Sequence, residues 1–286
     1  MPKILVSLRV IFVLFLFFFL SVAQGDVLCY LYRHFIDASS EPVHWLLGGA
    51  AAAILILIMW LLSRTAVCRR YPLIETIPAG FAAVLAVSLP FASWQHVLVT
   101  ILYYCITAAT LVFCNRLLQK AYHTARRRLP LLIYGTGLLL VCFVTGLRAA
   151  ATDADHYELR TAEALRRCDY AAAYRTGEIA LAVTPRLFAM RSYLLATQGE
   201  GLSQTLFKQP IPAGGSKYLL LPNDEWQRLN FSPDSLYVRL GGTPAQGETT
   251  LQFLQRLALP ADTAHRPTQL ARDYYLCALL LDRRLS

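Results

Sequence analysis

Apolar residues gather in five long runs in the first half of the chain, then thin into short stripes. The runs cover residues 4–23, 43–62, 73–94, 96–118 and 129–147. Each is close to the roughly 20 apolar residues that a helix needs to cross the hydrocarbon core of a bilayer. They predict a bundle of about five transmembrane helices over residues 1–147. From 148 to 286 the apolar positions recur at helical spacing among polar ones, as on amphipathic helices in water. The expected fold class is therefore all-α, with a membrane bundle followed by a soluble helical domain.

Details within the runs sharpen this picture. The first, ILVSLRVIFVLFLFFFLSVA, is preceded by Lys3 and closes on Ser21-Val22-Ala23, so it also fits a cleaved signal peptide. Arg9 shortens its apolar core and favours cleavage, whereas its overall length favours a retained anchor, which is the expectation adopted. Leu28 before Cys29 leaves no lipidation site. Pro78 and Pro90 predict a third span kinked or broken near both ends, and Pro130 suits the start of the fifth. Trp45, Trp60 and Trp94 fall at predicted span ends, where such rings sit at headgroup level. Gly48, Gly49, Ala52 and Ala53, with Ala79, Ala82, Ala83 and Ala86, predict close packing of spans two and three or of two protomers.

Charge changes the picture by its distribution. Of the net +9, residues 1–147 carry 11 Lys/Arg against 4 Asp/Glu, and the second half is nearly balanced. The excess lies in alternate short loops: Lys3, then Arg64, Arg69 and Arg70, then Lys120 with Arg126, Arg127 and Arg128. The intervening loops hold only Arg33. The positive-inside rule then places the N-terminus in the cytoplasm and residues 148–286 outside it. A folded domain so close to neutral does not suit nucleic acid. The seven cysteines form no CxxC or Cys/His cluster, so neither a metal nor a cofactor is expected. Cys168 and Cys277 are expected as two buried free thiols, with a disulfide as the alternative.

Candidate chemistry in the membrane half is sparse. Glu75 lies about one turn into the third span, and pairing with Arg69 and Arg70 at the interface is the expected explanation. A proton or ion site beside Pro78 is the alternative, implying a transporter component. Asp26, Asp37 and Glu41 occupy the outer loop 24–42, where a lipid-linked glycosyltransferase or glycan polymerase could keep a catalytic carboxylate. His44 and His96 sit at outer span ends, and Tyr103 and Tyr104 read as aromatic bulk.

In the second half, residues 152–198 read as three helices. Asp153 or Asp155 caps the first, Asp169 starts the second, and Pro185 opens the third, which ends at Gly199. Tyr157, Asp169, Tyr170, Ala173, Ala180, Leu181 and Pro185 fall where a 34-residue tetratricopeptide repeat places its aromatics, turn, small residues and closing proline. Arg160, Thr161, Ala164 and Gly177 depart from that pattern. Residues 208–248 are rich in Pro and Gly, with Ser235 to Leu240 readable as strand or helix. Helical pattern returns over 249–259 and 267–285. The last stretch looks like the opening helix of another repeat with nothing following to cover its apolar face, as in a truncated array.

With the repeat at 154–187, the LFKQPIPAGGSKYLLLPND stretch and the terminal DYYLCALLLDRRL, the chain resembles a family of bacterial multi-span inner-membrane proteins with extracytoplasmic tetratricopeptide-like helices. That family carries no assigned activity. The function expected is thus a non-enzymatic scaffold, anchored in the lipid bilayer, whose repeats bind an envelope protein partner.

Overall fold

The computed structural model describes residues 2–36, 43–71, 73–88, 93–121, 129–149, 151–176, 183–198, 202–208, 210–229, 231–260 and 266–283. Among these there is helix and no strand. The chain divides into two compact units, Met1–Thr152 and Asp153–Ser286.

The first unit holds α1 (Pro2–Phe18), α2 (Gly25–Phe35), α3 (His44–Ser63), α4 (Ala66–Arg70), α5 (Thr76–Ser88), α6 (Trp94–Ala121) and α7 (Leu129–Leu147). A π-helical turn, Phe19–Ala23, extends α1. Among the described residues three helices are long and apolar enough to cross a membrane: Leu5–Ala23, His44–Ser63 and Trp94–Leu117. Their outward faces are apolar too. Val10, Leu14, Leu57, Leu61, Leu102 and Ile106 are each more than half exposed, as expected where lipid replaces water outside the bundle.

Of the other two expected spans, α7 is an apolar helix over the expected residues 129–147, and α5 is a 13-residue helix in place of the predicted 73–94. At about 1.5 Å per residue α5 rises about 20 Å, short of the roughly 30 Å core. The reason lies partly at its start. Residues 73–75 form a turn, with Leu73 at φ +70° and the Thr76 hydroxyl donating to the Leu73 carbonyl (2.6 Å). Pro78 falls in the first helical turn, where no intrahelical N–H is needed, so it begins a helix instead of kinking one. Pro90 lies outside the described residues. α5 is nevertheless the inner helix: it packs on α1, α3, α6 and α7, and Ala79, Ala83, Val84 and Val87 are fully buried.

The second and third expected spans do pack, α3 on α5, with Ala52, Ala79 and Ala83 buried, while Gly48 serves a different contact. A Cβ on Gly48 would lie 2.4 Å from Ser21 Cα, so α3 crosses the backbone of the π-turn after α1 at closest approach there. Gly49 faces only a Phe17 ring edge at 3.5 Å. Residues 24–36, read as part of an outer loop, are largely the helix α2.

The second unit comprises α8 (Asp153–Arg166), α9 (Tyr170–Arg175), α10 (Pro185–Gln198), α11 (Leu202–Thr205), α12 (Asn223–Arg228), α13 (Asp234–Leu240), α14 (Thr250–Ala258) and α15 (Gln269–Leu281). Its core centres on α10, where Leu187, Phe188, Met190, Leu194 and Leu195 are buried on all sides. Trp226 and Phe231 close one side against Tyr193, whose hydroxyl hydrogen-bonds Ser235 Oγ (2.8 Å). Two expectations need correction here. The stretch rich in Pro and Gly forms short helices around the glycine turn at Gly214 and Gly215. The apolar face of α15 is also covered, by α11, α13, α14 and that turn, which leaves Ala271, Tyr274, Cys277 and Ala278 fully buried.

Candidate functional site

Among the described residues of the first unit the buried carboxylate is Glu75, and its partner is Arg9. Arg9 Nε donates to Glu75 Oε1 at 2.7 Å, and Nη2 lies 2.6 Å from the same oxygen. The Glu75 side chain has no exposed surface, while that of Arg9 is 36% exposed. The expected partners Arg69 and Arg70 have side chains outside the described residues. Glu75 is held by the turn before α5, and Arg9 by α1, whose Phe12 and Leu16 are fully buried farther along the same helix. An arginine in one apolar run and a glutamate in another, each within about two turns of the start of its run, was the available signal. Intramembrane ionisable groups pair with one another when they can.

At the other end of α6, Arg148 joins α7 to α6. Its Nη2 donates to the His96 carbonyl (3.1 Å) and lies 3.2 Å from His96 Nδ1, and its Nε donates to Thr100 Oγ1 (3.1 Å). His96 Nε2 meets the Arg148 carbonyl at 3.0 Å. A single tautomer, protonated on Nε2, serves both ring contacts. His96 is therefore more than an exposed span-end histidine. Tyr104 is likewise more than bulk: its hydroxyl hydrogen-bonds Thr145 Oγ1 (2.8 Å) directly above Gly80, where a Cβ would meet both side chains. Farther along, the Tyr134 hydroxyl donates to Asn115 Oδ1 (2.9 Å). These contacts clamp α5, α6 and α7 together.

The outer-loop carboxylates do not assemble into a describable site. Asp26 lies in the first turn of α2, where Oδ1 accepts from the Val27 N–H (3.0 Å). Asp37 and Glu41 lie outside the described residues. Among the described residues no group of three or more His, Cys, Asp or Glu could hold a metal ion.

In the helical unit the repeat positions serve turns and packing. Asp169 caps α9 by accepting from the Ala172 N–H (3.0 Å), and Ala173 is fully buried. Tyr157 and Tyr170 pack partly buried against the core, and Pro185 is the first residue of α10. Ala180 and Leu181 lie outside the described residues. Between α8 and α9 the chain turns at Cys168, which adopts φ +56° while the Asp169 N–H reaches the Ala164 carbonyl (2.9 Å). Cys168 is exposed, contrary to expectation, and unpaired; Cys277 is buried, and burial pushes its thiol up to about 12.

A charged network ties α8, α10 and α12 together. Arg186 Nη1 lies 3.3 Å from Glu158 Oε2, and its Nε donates to Glu225 Oε2 at 2.6 Å. The Thr184 hydroxyl donates to Glu158 Oε1 and also accepts from the Leu187 N–H (3.1 Å). Burial raises the Glu158 carboxyl above its ordinary range, although Thr184 and Arg186 pull it down. The group reads as a polar brace, with the Thr184 hydroxyl bonded on both sides.

Comparison with known proteins adds no relative. No protein-family model matches the chain, and no curated protein or solved structure resembles it significantly.

Proposed function

We propose that the chain is a multi-pass inner-membrane protein that displays its helical unit outside the cytoplasm to an envelope protein, without catalysing a reaction. The observation that carries this reading is the Arg9–Glu75 pair. The single buried carboxylate described in the bundle is paired with Arg9 of the first helix, as in a structural clasp between two helices. In this reading α5 and α7 also cross, so that five crossings separate the N-terminus from the helical unit. The short α5 begins its passage with the turn before it. The loop charges set the direction. The tetratricopeptide-like positions of α8 and α9 supply the recognition surface, with Tyr174 exposed on its outer side.

Reporter fusions test the topology. Alkaline phosphatase should be active when fused after Ser93 and after Ser286 and inactive after Arg64 and after Ala121; the reverse pattern would remove the proposal. For the partner, a photocrosslinker at Tyr174 in native membranes should give one discrete adduct that Ala173→Glu, made at a buried position of α9, abolishes. Adducts of many sizes, unaffected by that change, would remove the scaffold role.

A further inference from the structure

Helix α2 is built inside out for a helix in water. Leu28, Leu31, Tyr32 and Phe35 follow the i, i+3, i+4, i+7 spacing of one helical face. Asp26, Tyr30, Arg33 and His34 share the opposite face, and the Tyr30 ring stacks on His34 (5.7 Å). A soluble protein would turn the first face inward. Here Arg33, on the polar face, is 4% exposed, while Phe35 and the following Ile36 are 72% and 71% exposed. Leu28, Leu31 and Tyr32 are half-buried.

Chain continuity fixes the level at which α2 lies. It begins two residues after Ala23, the outer end of the Leu5–Ala23 span, and the chain bends at Gln24 between them. A Cβ on Gly25 would lie 3.0 Å from His44 Cβ, so the first residue of α2 touches the first residue of α3. The helix therefore starts where two membrane-length helices end. Trp45 and Leu46 stand beside this point, each 54% exposed. An amphipathic helix of this kind, leaving a span end at a bend, has the headgroup boundary within reach of its apolar face.

We infer that α2 is an in-plane interfacial helix that seats Leu28, Leu31, Tyr32 and Phe35 in the outer leaflet, its partner being the lipid surface itself. Asp26 and Arg33 balance each other, so the attachment is apolar and needs no anionic lipid. The inference rests on α1 and α3 being membrane spans. It also reassigns Asp26 from a solvated loop to the polar side of a helix lying on the bilayer.

The test uses the full chain in phosphatidylcholine vesicles. A nitroxide on an unnatural ketone residue, which leaves the native cysteines intact, is placed singly at Leu28, Leu31, Phe35, Tyr30, His34 and, as a span control, Leu57. Dissolved oxygen reports lipid and a water-soluble nickel chelate reports water. Oxygen collisions should peak at 28, 31 and 35, and chelate collisions at 30 and 34, with at least a threefold contrast between the faces. Equal chelate access to both faces, with Leu57 still in lipid, would overturn the interfacial helix alone. Leu57 in water would overturn the span reading beneath it. Labels at 28, 31 and 35 shielded from both reagents would place protein on that face and also overturn the inference. Adding anionic lipid should leave the profile unchanged; a lipid signal seen only with anionic lipid would refute the apolar attachment.

Discussion

Removing Arg9 should harm the protein more than removing Glu75, and removing both should harm it least. Both Arg9 contacts converge on Glu75 Oε1. In Arg9→Leu the carboxylate stays fully buried with no guanidinium beside it, and orphaning one member of a buried pair costs about 3–5 kcal/mol. The exposure of Arg9, just over a third, argues for the lower end, about 3 kcal/mol. In Glu75→Leu the guanidinium can swing toward the headgroups on its long stem, so a loss of about 1 kcal/mol is expected. The double variant leaves neither charge buried and should recover to within about 1 kcal/mol of the parent. The assay is reversible denaturation of the full chain in mixed micelles, read by helicity, with all four proteins forming one cycle. Equal losses from the two single variants, or a double variant whose loss is their sum, would refute the clasp. The same experiment asks whether the first segment is retained. Were it cleaved after Ala23, Arg9→Leu would be silent and the intact mass would lack those residues.

Three further outcomes are expected. Glu158 has a raised carboxyl, so the folded unit keeps a proton that the unfolded chain has already released. Its contribution to stability is present below the ordinary glutamate value and lost as pH rises through the folded one. The melting temperature of Glu158→Gln relative to the parent should therefore climb between about pH 4.5 and neutrality; a flat or falling difference would sink the argument. Cys168 holds a left-handed conformation that costs an L-residue about 1 kcal/mol, so Cys168→Gly should raise stability by up to that amount, measured by denaturation of the full chain. Finally, Gly48→Ala should cost about 1–3 kcal/mol through overpacking against the Ser21 backbone. Gly49→Ala, with only a ring edge at 3.5 Å, should be nearly neutral in the same assay.

How much of this could be read in advance depended on the range of the interaction. Apolar runs of about 20 residues announce themselves, because the bilayer asks only for length and composition. The short α5 did not, since the apolar run continues on both sides of it and only the turn at Leu73 and the place of Pro78 cut it back. The i, i+3, i+4, i+7 pattern of α2 was present in the sequence, but two spans and a short connection made the segment look like loop. Asp169 as a cap and Pro185 as a helix start were local signals and visible. The partner of Glu75 was not, because Arg9 lies 66 positions away and reads in isolation as a flaw in an apolar run. The burial of α15 was hidden in part for the same reason: the elements that cover it are individually short, and α11 and the turn at Gly215 lie far from it in sequence.

The turn at Gly214 and Gly215 has a consequence for how the helical unit is made. Gly215 sits at φ +71°, and a Cβ there would stand 2.3 Å from Asp282 Oδ1. That carboxylate receives the Ser216 N–H (2.8 Å) and the Ser216 hydroxyl (2.7 Å). The closure therefore joins parts of the chain synthesised 66 residues apart, and α15 brings four fully buried side chains with it. Until α15 has emerged, the earlier helices hold an open apolar seam. A domain closed so late stays a partly folded chain, with that seam open, until its last helix has been made.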